Sequence, residues 1–251
     1  MAQPAVLNSP PASADRAILA CEPLTLGGGR SALRLPELQI ARGGAAILSP
    51  ALAVGAEGGG DAAAAMARVL ATLEPADQGR LWILGLEPRQ ISYLELCRLR
   101  RRLGFVPGRG GLLSNRTLLG NLALPLSVHA GIDHSREQEQ AQLALDRLGI
   151  GDLAHRFPHA IDGPARFAAC VARALILDPE LLVVEGSGDF EAESDGSHAW
   201  RTLAAAAAAG TCAVAVCLGK PQPAFERWWR QRGATVAEVT LGTAAPAKEA
   251  V

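Results

Sequence analysis

Short, continuously apolar segments alternate with segments of helical pattern along most of this 251-residue chain. The runs at 181–184 (LLVV) and 212–218 (CAVAVCL) are apolar on both faces of a strand, whereas 135–148 has the spacing of an amphipathic helix. A strand that is apolar on both faces has to be covered on both sides, which is typical of parallel sheets. We therefore expect an α/β fold in which helices cover both faces of a parallel sheet.

The chain also contains a strand, a Gly-rich loop, a helix and a second strand in succession. An apolar run at 45–48 ends at a Ser-Pro pair, and the sequence GAEGGG follows at 55–60. Asp61 then precedes an alanine-rich helical segment, and we expect it to be the N-cap of that helix. The segment 80–84 (RLWIL) has the composition of a strand. This order predicts the opening of a βαβ unit.

The charge balance and the hydrophobic runs exclude several classes of protein. The formal net charge is −1, from 24 basic and 25 acidic residues, which excludes a nucleic-acid binder held by a strong positive field. The longest apolar stretch, 203–218, is interrupted by Gly210 and Thr211, so a helix followed by a buried strand explains it better than a membrane span. The five cysteines form no CxxC pair, which indicates reduced thiols and no metal site. The N-terminus has no basic start followed by an apolar run, so we expect a cytoplasmic protein that meets a membrane only through a partner.

Two stretches of the chain resemble the ATP-binding subunit of an ABC transporter. The sequence at 103–131 (LGFVPGRGGLLSNRTLLGNLALPLSVHAG) resembles the family segment that follows the glutamine loop, where a helical subdomain begins. The stretch at 145–186, which includes ARAL at 172–175 and DPELL at 178–182, is similar to the family run through the signature motif and the Walker B strand. Within the family, NLALPL at 121–126 looks most like the Mla-type lipid-transport and FtsE-like cell-division ATPases.

The resemblance extends from about residue 19 to residue 241. It implies a P-loop NTPase (ABC ATPase-like) fold with a parallel sheet core, an antiparallel β edge and a helical subdomain at about 108–172. We expect a single ABC ATPase-like domain at 17–241. The Pro/Ser/Ala-rich residues 1–16 and the low-complexity tail 242–251 are predicted to be disordered.

The resemblance also implies a phosphate loop, which in this family needs a Lys for the β- and γ-phosphates and a Ser or Thr for Mg²⁺. One alignment places the loop at 55–62, with Asp61 at the Lys position and Ala62 at the Ser position. A second alignment starts the loop at Ser49 and makes the rest an insertion. Neither supplies the Lys, because the first lysine of the chain is Lys220. The degenerate nucleotide-binding positions are Gly55, Gly58, Gly59, Gly60, Asp61 and Ala62.

The Walker B strand of the family ends in Asp and Glu, of which the first binds the metal and the second positions water. In this chain the corresponding strand ends in Glu185 and Gly186. Glu185 keeps a carboxylate at the metal position and is the candidate magnesium ligand. The alternative is that Glu185 is a strand-end residue that is hydrogen-bonded or solvated. Gly186 removes the catalytic carboxylate.

Three further motifs are degenerate as well. The signature motif, LSGGQ in the family, is represented by Ile161, Asp162, Gly163, Pro164 and Ala165. Asp162 replaces the Ser that contacts the γ-phosphate, and Pro164 removes a backbone donor. Gly108 stands at the Gln position of the glutamine loop. Leu218 stands near the position of the switch His, and no His follows His198.

Mg²⁺-assisted phosphoryl transfer depends almost entirely on positioning and charge, so these losses together should remove it. The resemblance therefore implies a pseudo-ATPase without catalytic residues that supports or regulates an envelope transport complex, with lipid as the candidate cargo. Its implied partners are an ABC permease, a second ABC ATPase subunit, or both, and through a permease it would lie peripheral to the inner membrane. ATP with Mg²⁺ would be its cofactor only if binding survives.

Two alternatives stay open. An active ATPase with unorthodox motifs predicts Mg²⁺-dependent turnover that is lost on Glu185→Gln. A free-standing regulatory or scaffold protein on the same fold predicts a soluble complex that contains no permease. Fold analogy alone does not separate these functions.

Overall fold

The computed structural model describes residues 17–26, 32–51, 59–108, 111–129, 131, 133–186, 198–210, 213–217 and 223–242. The strands described there are β1 Ala17–Cys21, β2 Leu24–Leu26, β3 Ala32–Leu35, β4 Leu38–Ala41, β5 Ala45–Ala51, β6 Leu81–Ile83, β7 Leu103–Val106, β8 Leu181–Glu185, β9 Ala213–Cys217 and β10 Thr235–Gly242. The helices are α1 Gly59–Leu70, α2 Tyr93–Arg100, α3 Leu118–His129, α4 His134–Arg147, α5 Gly163–Leu175, α6 His198–Ala208 and α7 Pro223–Arg230. One-turn 3-10 helices at Gly151–Leu153 and Pro158–Ala160 lie between α4 and α5.

Seven strands form one large sheet, in the order β2-β3-β10-β5-β9-β8-β7. The strands from β10 to β7 are parallel to one another, and β3 pairs antiparallel with both β10 and β2. Strand β9 is buried along its whole length, and β8 is buried up to Glu185. The predicted parallel sheet core with an antiparallel β edge is therefore confirmed.

Helices cover both faces of the parallel strands, as expected from their apolar sequences. Side chains of β8 alternate between two core clusters, because successive residues of a strand point to opposite faces. Leu182 and Val184 pack in the cluster that includes α3, α4, α5 and α6, whereas Leu181 and Val183 pack in the cluster that includes α1.

A second sheet contains three antiparallel strands in the order β4-β1-β6. The prediction of a βαβ unit is wrong at this point, because β6 pairs with β1, with Leu19 opposite Ile83, and does not join β5. Met66 and Leu70 of α1 lie in the same core cluster as Leu19 and Ile83. Helix α1 thus packs between the two sheets, and the strand that follows it, β6, joins the three-stranded sheet.

Three local boundaries differ from the sequence predictions. Asp61 is not an N-cap, because α1 already begins at Gly59. Strand β5 does not end before the Ser-Pro pair but continues to Ala51. Pro50 is tolerated because β5 pairs with β9 only up to Leu48, so its missing N–H lies where the described strand has one neighbour.

No described helix is long and apolar enough to span a membrane. The cysteines of the described residues, Cys21, Cys97, Cys170 and Cys217, are free thiols. Burial raises the pKa of Cys21 to about 12 and that of Cys170 to about 11. Both therefore stay protonated at neutral pH and act as apolar core side chains.

Candidate functional site

The carboxyl ends of four parallel strands, β5, β9, β8 and β7, meet at one edge of the large sheet. Leu48, Cys217 and Glu185 lie side by side across β5, β9 and β8, and Val106 pairs with Val184 just before Glu185. Ligands of open α/β sheets bind outside the carboxyl ends of the strands. We therefore take this edge, together with the start of α1, as the candidate site.

Glu185 and Gly108, the predicted Walker B and glutamine-loop positions, lie against each other at this edge. A β-carbon added to Gly108 would lie 2.9 Å from Oε1 of Glu185 and 3.0 Å from its Cδ. Gly108 is buried, so the space that a side chain would fill is taken by the carboxyl group of Glu185. A glutamine at position 108 would have to displace that carboxylate.

Gly186 follows Glu185 at the end of β8 and is tied to the neighbouring strand. Its N–H donates to the carbonyl oxygen of Cys217 at 2.7 Å. The strand end thus presents the carboxylate of Glu185 without a second carboxylate after it. The thiol of Cys217 is fully buried beside this position, and burial together with the charge of Glu185 raises its pKa. Cys217 is therefore a protonated thiol and not a nucleophile.

The start of α1 supplies the other half of the candidate site. Gly59, Gly60, Asp61 and Ala62 form its first turn, whereas Gly55 and Gly58 lie outside the described residues. The first turn of a helix has unpaired N–H groups and the positive end of the dipole, which attract anions. The sequence puts the acidic residue Asp61 in that turn, where the family has a lysine.

Asp162, in the predicted signature motif, is the N-cap of α5. Its Oδ1 accepts a hydrogen bond from the N–H of Ala165 at 2.8 Å. Gly163 and Pro164 form the first turn, where the missing N–H of Pro164 costs no helical hydrogen bond. Ile161 precedes the cap, and its carbonyl oxygen accepts a hydrogen bond from Nη1 of Arg166 at 3.3 Å. The carboxylate of Asp162 therefore satisfies one donor of the helix start, and its charge would repel a phosphate.

The structure brings together Glu185, Gly186 and Gly108 of the predicted positions. The five predicted signature residues, 161–165, lie elsewhere, at the start of α5. Leu218, the predicted switch position, lies outside the described residues, directly after the end of β9. The predicted assignment of these residues to family motifs stays a prediction.

Mg²⁺ and a triphosphate require oxygen ligands and positive charge at the candidate site. Among the described residues, no group of three or more His, Cys, Asp or Glu side chains is placed to hold a metal ion. Glu185 could supply one oxygen ligand of the kind that Mg²⁺ prefers. Lysine is absent from the part of the chain that the structure describes, so no ammonium group neutralises the phosphates there. Among the described residues, the candidate site thus offers Glu185 as one possible oxygen ligand and no lysine for a triphosphate.

Asn121 is a structural residue that the sequence analysis missed. Its side chain is completely buried and makes four hydrogen bonds. Oδ1 accepts from the N–H of Leu113 at 2.6 Å, and Nδ2 donates to the carbonyl oxygens of Leu113, Arg116 and Thr117. The turn at 113–117 is thereby fixed to α3. A lone Asn within the apolar run at 121–126 was the available signal.

Thr117 caps the start of α3. Helix α3 begins at Leu118, and Oγ1 of Thr117 accepts a hydrogen bond from the N–H of Gly120 at 3.2 Å. Ser114 and Asn115 are part of the turn that Asn121 holds.

No protein-family model matches the chain. The chain is 33% identical to the cell division ATP-binding protein FtsE of Haemophilus influenzae over 127 residues. This match covers 50% of this chain and 58% of FtsE. The chain is 34% identical to the macrolide export ATP-binding/permease protein MacB of Bartonella quintana over 152 residues. This match covers 60% of this chain and 22% of MacB. The methionine import ATP-binding protein MetN of Bordetella avium is 38% identical over 111 residues, which cover 44% of this chain and 30% of MetN. The chain thus spans less than two thirds of the length of each of these relatives.

Solved structures of ABC cassettes share the fold. The dimeric structure of MJ0796, a bacterial ABC transporter cassette, matches with a TM-score of 0.67 at 18% identity and covers 89% of this chain and 95% of that one. CbiO1 from Clostridium perfringens, part of the ABC transporter complex CbiONQ, matches with a TM-score of 0.61 at 16% identity, over 80% of this chain and 78% of CbiO1. The chain therefore has the fold of an ABC ATPase cassette, and its sequence resemblance to ABC transporter ATP-binding proteins is confirmed.

Proposed function

We propose that this chain is a pseudo-ATPase: an ATP-binding-type subunit of an ABC transporter that does not hydrolyse ATP. It supports or regulates a transport complex of the cell envelope. The relatives' names include cell division, macrolide export and methionine import, so they do not agree on one cargo. Lipid is our candidate cargo because of the sequence NLALPL at 121–126.

One observation carries the proposal: the strand end at the candidate site has Glu185 packed against Gly108 and followed by Gly186. Hydrolysis needs a group that positions water as well as a group that holds the metal. The carboxylate of Glu185 serves at most one of these roles. The first turn of α1 carries no lysine, and the first turn of α5 carries the carboxylate of Asp162. Each of these features weakens the binding of a triphosphate.

The same features lead us to propose partners. ABC sites form between two cassettes, so a second, competent ABC ATPase subunit is the natural neighbour of this chain. An ABC permease is the second proposed partner, and it would hold the complex at the cytoplasmic face of the inner membrane. The segment 103–131, which resembles the family most closely, is our proposed docking segment, and we place it at the start of a helical subdomain at about 108–172.

ATP turnover of the purified chain tests the proposal directly. We expect no Mg²⁺-dependent phosphate release above that of a Glu185→Gln variant, because Gly186 stands where the family has its water-positioning carboxylate. Asp152→Asn, an exposed residue far along the chain from β8, is the control for non-specific effects of losing a carboxylate. Turnover that Glu185→Gln abolishes and Asp152→Asn leaves intact would establish an active ATPase with unorthodox motifs.

Affinity purification from the native membrane tests the partners. We expect a permease and a second ATPase subunit to co-purify with the tagged chain after mild detergent extraction. A soluble complex without any permease would instead establish a free-standing regulatory or scaffold protein.

A further inference from the structure

An open cleft of about 520 Å³ lies between the helices α4, α5 and α6. Its volume is in the range of small-molecule sites, about 300–1,000 Å³. Asp178 and Pro179, in the turn between α5 and β8, also line it. Because this turn precedes β8, the cleft lies near the amino ends of the parallel strands, whereas the candidate site lies at their carboxyl ends. None of its described lining residues belongs to the proposed docking segment 103–131.

The floor of the cleft is apolar. Leu148 and Ala172 are buried members of the core cluster that includes α3, α4, α5 and α6, and Ile176 packs against that cluster. Each of the three helices contributes an alanine to the lining, namely Ala144, Ala172 and Ala206. These small side chains leave space between the helices, so the cleft is open where larger residues would fill it.

Hydrogen bonds hold the walls of the cleft in place. Nε2 of His198, at the start of α6, donates to the carbonyl oxygen of Arg147, at the end of α4, at 2.7 Å. The N–H of Asp178 donates to the carbonyl oxygen of Leu175 at 2.9 Å and closes the turn after α5. Asp178 has a φ of 49°, a left-handed conformation that aspartate adopts more readily than most residues. The cleft is therefore preformed, which reduces the ordering that a ligand has to impose.

Two opposite charges line the cleft. Arg147 and Asp178 are both exposed, and they come from different walls. Within the part of the chain that the structure describes, neither side chain forms an ion pair or a hydrogen bond, with each other or with a third residue. Gln140 adds an amide group to the lining, and Thr202 adds a hydroxyl. The hydroxyl of Thr202 donates to the carbonyl oxygen of His198 at 2.9 Å, so its oxygen is left to accept.

We propose that this cleft binds a short apolar peptide with free termini, of the size of a dipeptide. Its carboxylate would pair with Arg147 and its ammonium group with Asp178. Its peptide N–H would donate to the hydroxyl oxygen of Thr202, and its side chains would cover Leu148 and Ala172. A simple ion would leave one of the two charges unpaired and the apolar floor exposed. The lining therefore favours a ligand that carries both charges on an apolar body.

Isothermal titration of the full chain with leucyl-leucine tests the proposal. We expect saturable binding with a Kd below about 1 mM. Leucyl-leucine amide lacks the carboxylate, and N-acetyl-leucyl-leucine lacks the ammonium group, so each should bind at least about tenfold more weakly. Glycyl-glycine keeps both charges but lacks the apolar side chains, and it too should bind at least about tenfold more weakly. No saturation by leucyl-leucine, or equal affinity for any of the three other compounds, would overturn the proposal.

One variant identifies the partner of the carboxylate. Arg147→Gln should weaken the binding of leucyl-leucine at least about tenfold but that of leucyl-leucine amide less than about twofold, because the amide has no carboxylate to lose. Arg136→Gln is the matched control, since Arg136 lies about three turns earlier on α4 and outside the lining. It should change both affinities less than about twofold. Equal effects of the two variants on leucyl-leucine would contradict the proposal.

Two neighbouring alanines of α6 locate the cleft without a change of charge. Ala206→Leu places a larger side chain in the lining and should weaken the binding of leucyl-leucine at least about tenfold. Ala205→Leu, exposed and outside the lining, should weaken it less than about twofold. Leucine is a good helix former, so both variants should keep α6 intact. Equal affinities of the two variants would mean that the peptide binds elsewhere.

Discussion

Asn121 is the buried residue on which the turn before α3 depends. Leucine at this position keeps the volume but leaves the N–H of Leu113 without its acceptor and removes the side-chain donor from three carbonyl groups, of which those of Leu113 and Thr117 keep a backbone N–H. We expect Asn121→Leu to lower the free energy of unfolding by about 3 kcal/mol, measured by urea denaturation. Ser127→Ala, exposed on the same helix, should lower it by less than about 0.5 kcal/mol. Equal losses would contradict the role given to Asn121.

Glu180 links two turns at the amino end of the parallel strands. It pairs with Arg102 at 2.6 Å and with Arg42, and its side chain is only 22% exposed. The hydrogen bond from Arg102, assisted by Arg42, lowers the pKa of Glu180. A lowered pKa means that the native state favours the ionised form, so this stabilisation is present above the ordinary glutamate pKa. It is lost as the pH falls through the lowered value.

We therefore expect Glu180→Gln to lower the free energy of unfolding by about 1 kcal/mol at pH 7. The difference from the parent chain should shrink as the pH is lowered through the acid range, because the parent then loses the same interaction. Denaturant melts at several pH values measure this. Glu139→Gln, exposed on α4, is the control. A difference that stays constant with pH would contradict the assignment.

Residue types at the candidate site could be read from the sequence, but their contacts could not. Glu185, Gly186 and Gly108 were each identified from the resemblance. That the carboxyl group of Glu185 occupies the space beside Gly108 depends on the pairing of β7 with β8, which no local pattern specifies. Asn121 was missed because its partners are backbone groups of a loop, and backbone groups leave no trace in the sequence.

At the scale of elements, the packing of α5 on β7 depends on the absence of a side chain at Gly104. A β-carbon there would lie 2.6 Å from the carbonyl oxygen of Ala174 and 2.5 Å from Cδ1 of Leu182. The side chain of Leu182 could move aside, but the carbonyl oxygen of Ala174 belongs to the backbone and could move only if all of α5 shifted. We expect Gly104→Ala to lower the free energy of unfolding by about 2 kcal/mol.

Gly163→Ala is the matched control for this change. Gly163 lies in the first turn of α5, and a β-carbon added to it meets nothing within 4 Å. We expect its effect on the free energy of unfolding to be below about 0.5 kcal/mol. Urea denaturation of both variants compares them. A loss for Gly163→Ala that matches that for Gly104→Ala would mean that close packing is not the cause.

Elements with a strong pattern were predicted well, and their partners less well. Strands β8 and β9 and helix α4 follow directly from continuous apolar runs and from amphipathic spacing. Strand β6 was recognised but assigned to the wrong sheet. The reason is that a strand after a helix can return to the same sheet or cross to another, and the choice depends on where the helix packs. Helix α1 packs between two sheets, which only the complete fold determines.

At the scale of the whole molecule, the proposed pseudo-ATPase function predicts how the chain responds to nucleotide. A ligand that binds only the folded state at about 100 times its Kd stabilises that state by about 2.7 kcal/mol. We expect millimolar Mg-ATP to shift the melting temperature of this chain by less than about 1 °C, because the proposed phosphate loop has Asp61 in place of its lysine. Differential scanning fluorimetry measures this, with the relative FtsE as the positive control. A shift of several degrees would show that nucleotide binding survives.

The double variant Asp61→Lys with Ala62→Ser separates the two phosphate-loop alignments. If the loop lies at 55–62, the variant regains an ammonium group and a hydroxyl at the start of α1, and Mg-ATP should then raise its melting temperature. If the loop instead starts at Ser49, the variant should respond as the parent chain does. The double variant Ala64→Lys with Ala65→Ser, one turn further along α1, is the control for an added charge.

Helix α5 begins with a donor, the N–H of Ala165, that the carboxylate of Asp162 already satisfies. A phosphate would have to compete with this carboxylate for the donor. We therefore expect the amide hydrogen of Ala165 to exchange with solvent at the same rate with and without nucleotide. In the proposed pair with a competent cassette, a nucleotide-dependent change in exchange would then be confined to the partner's signature helix.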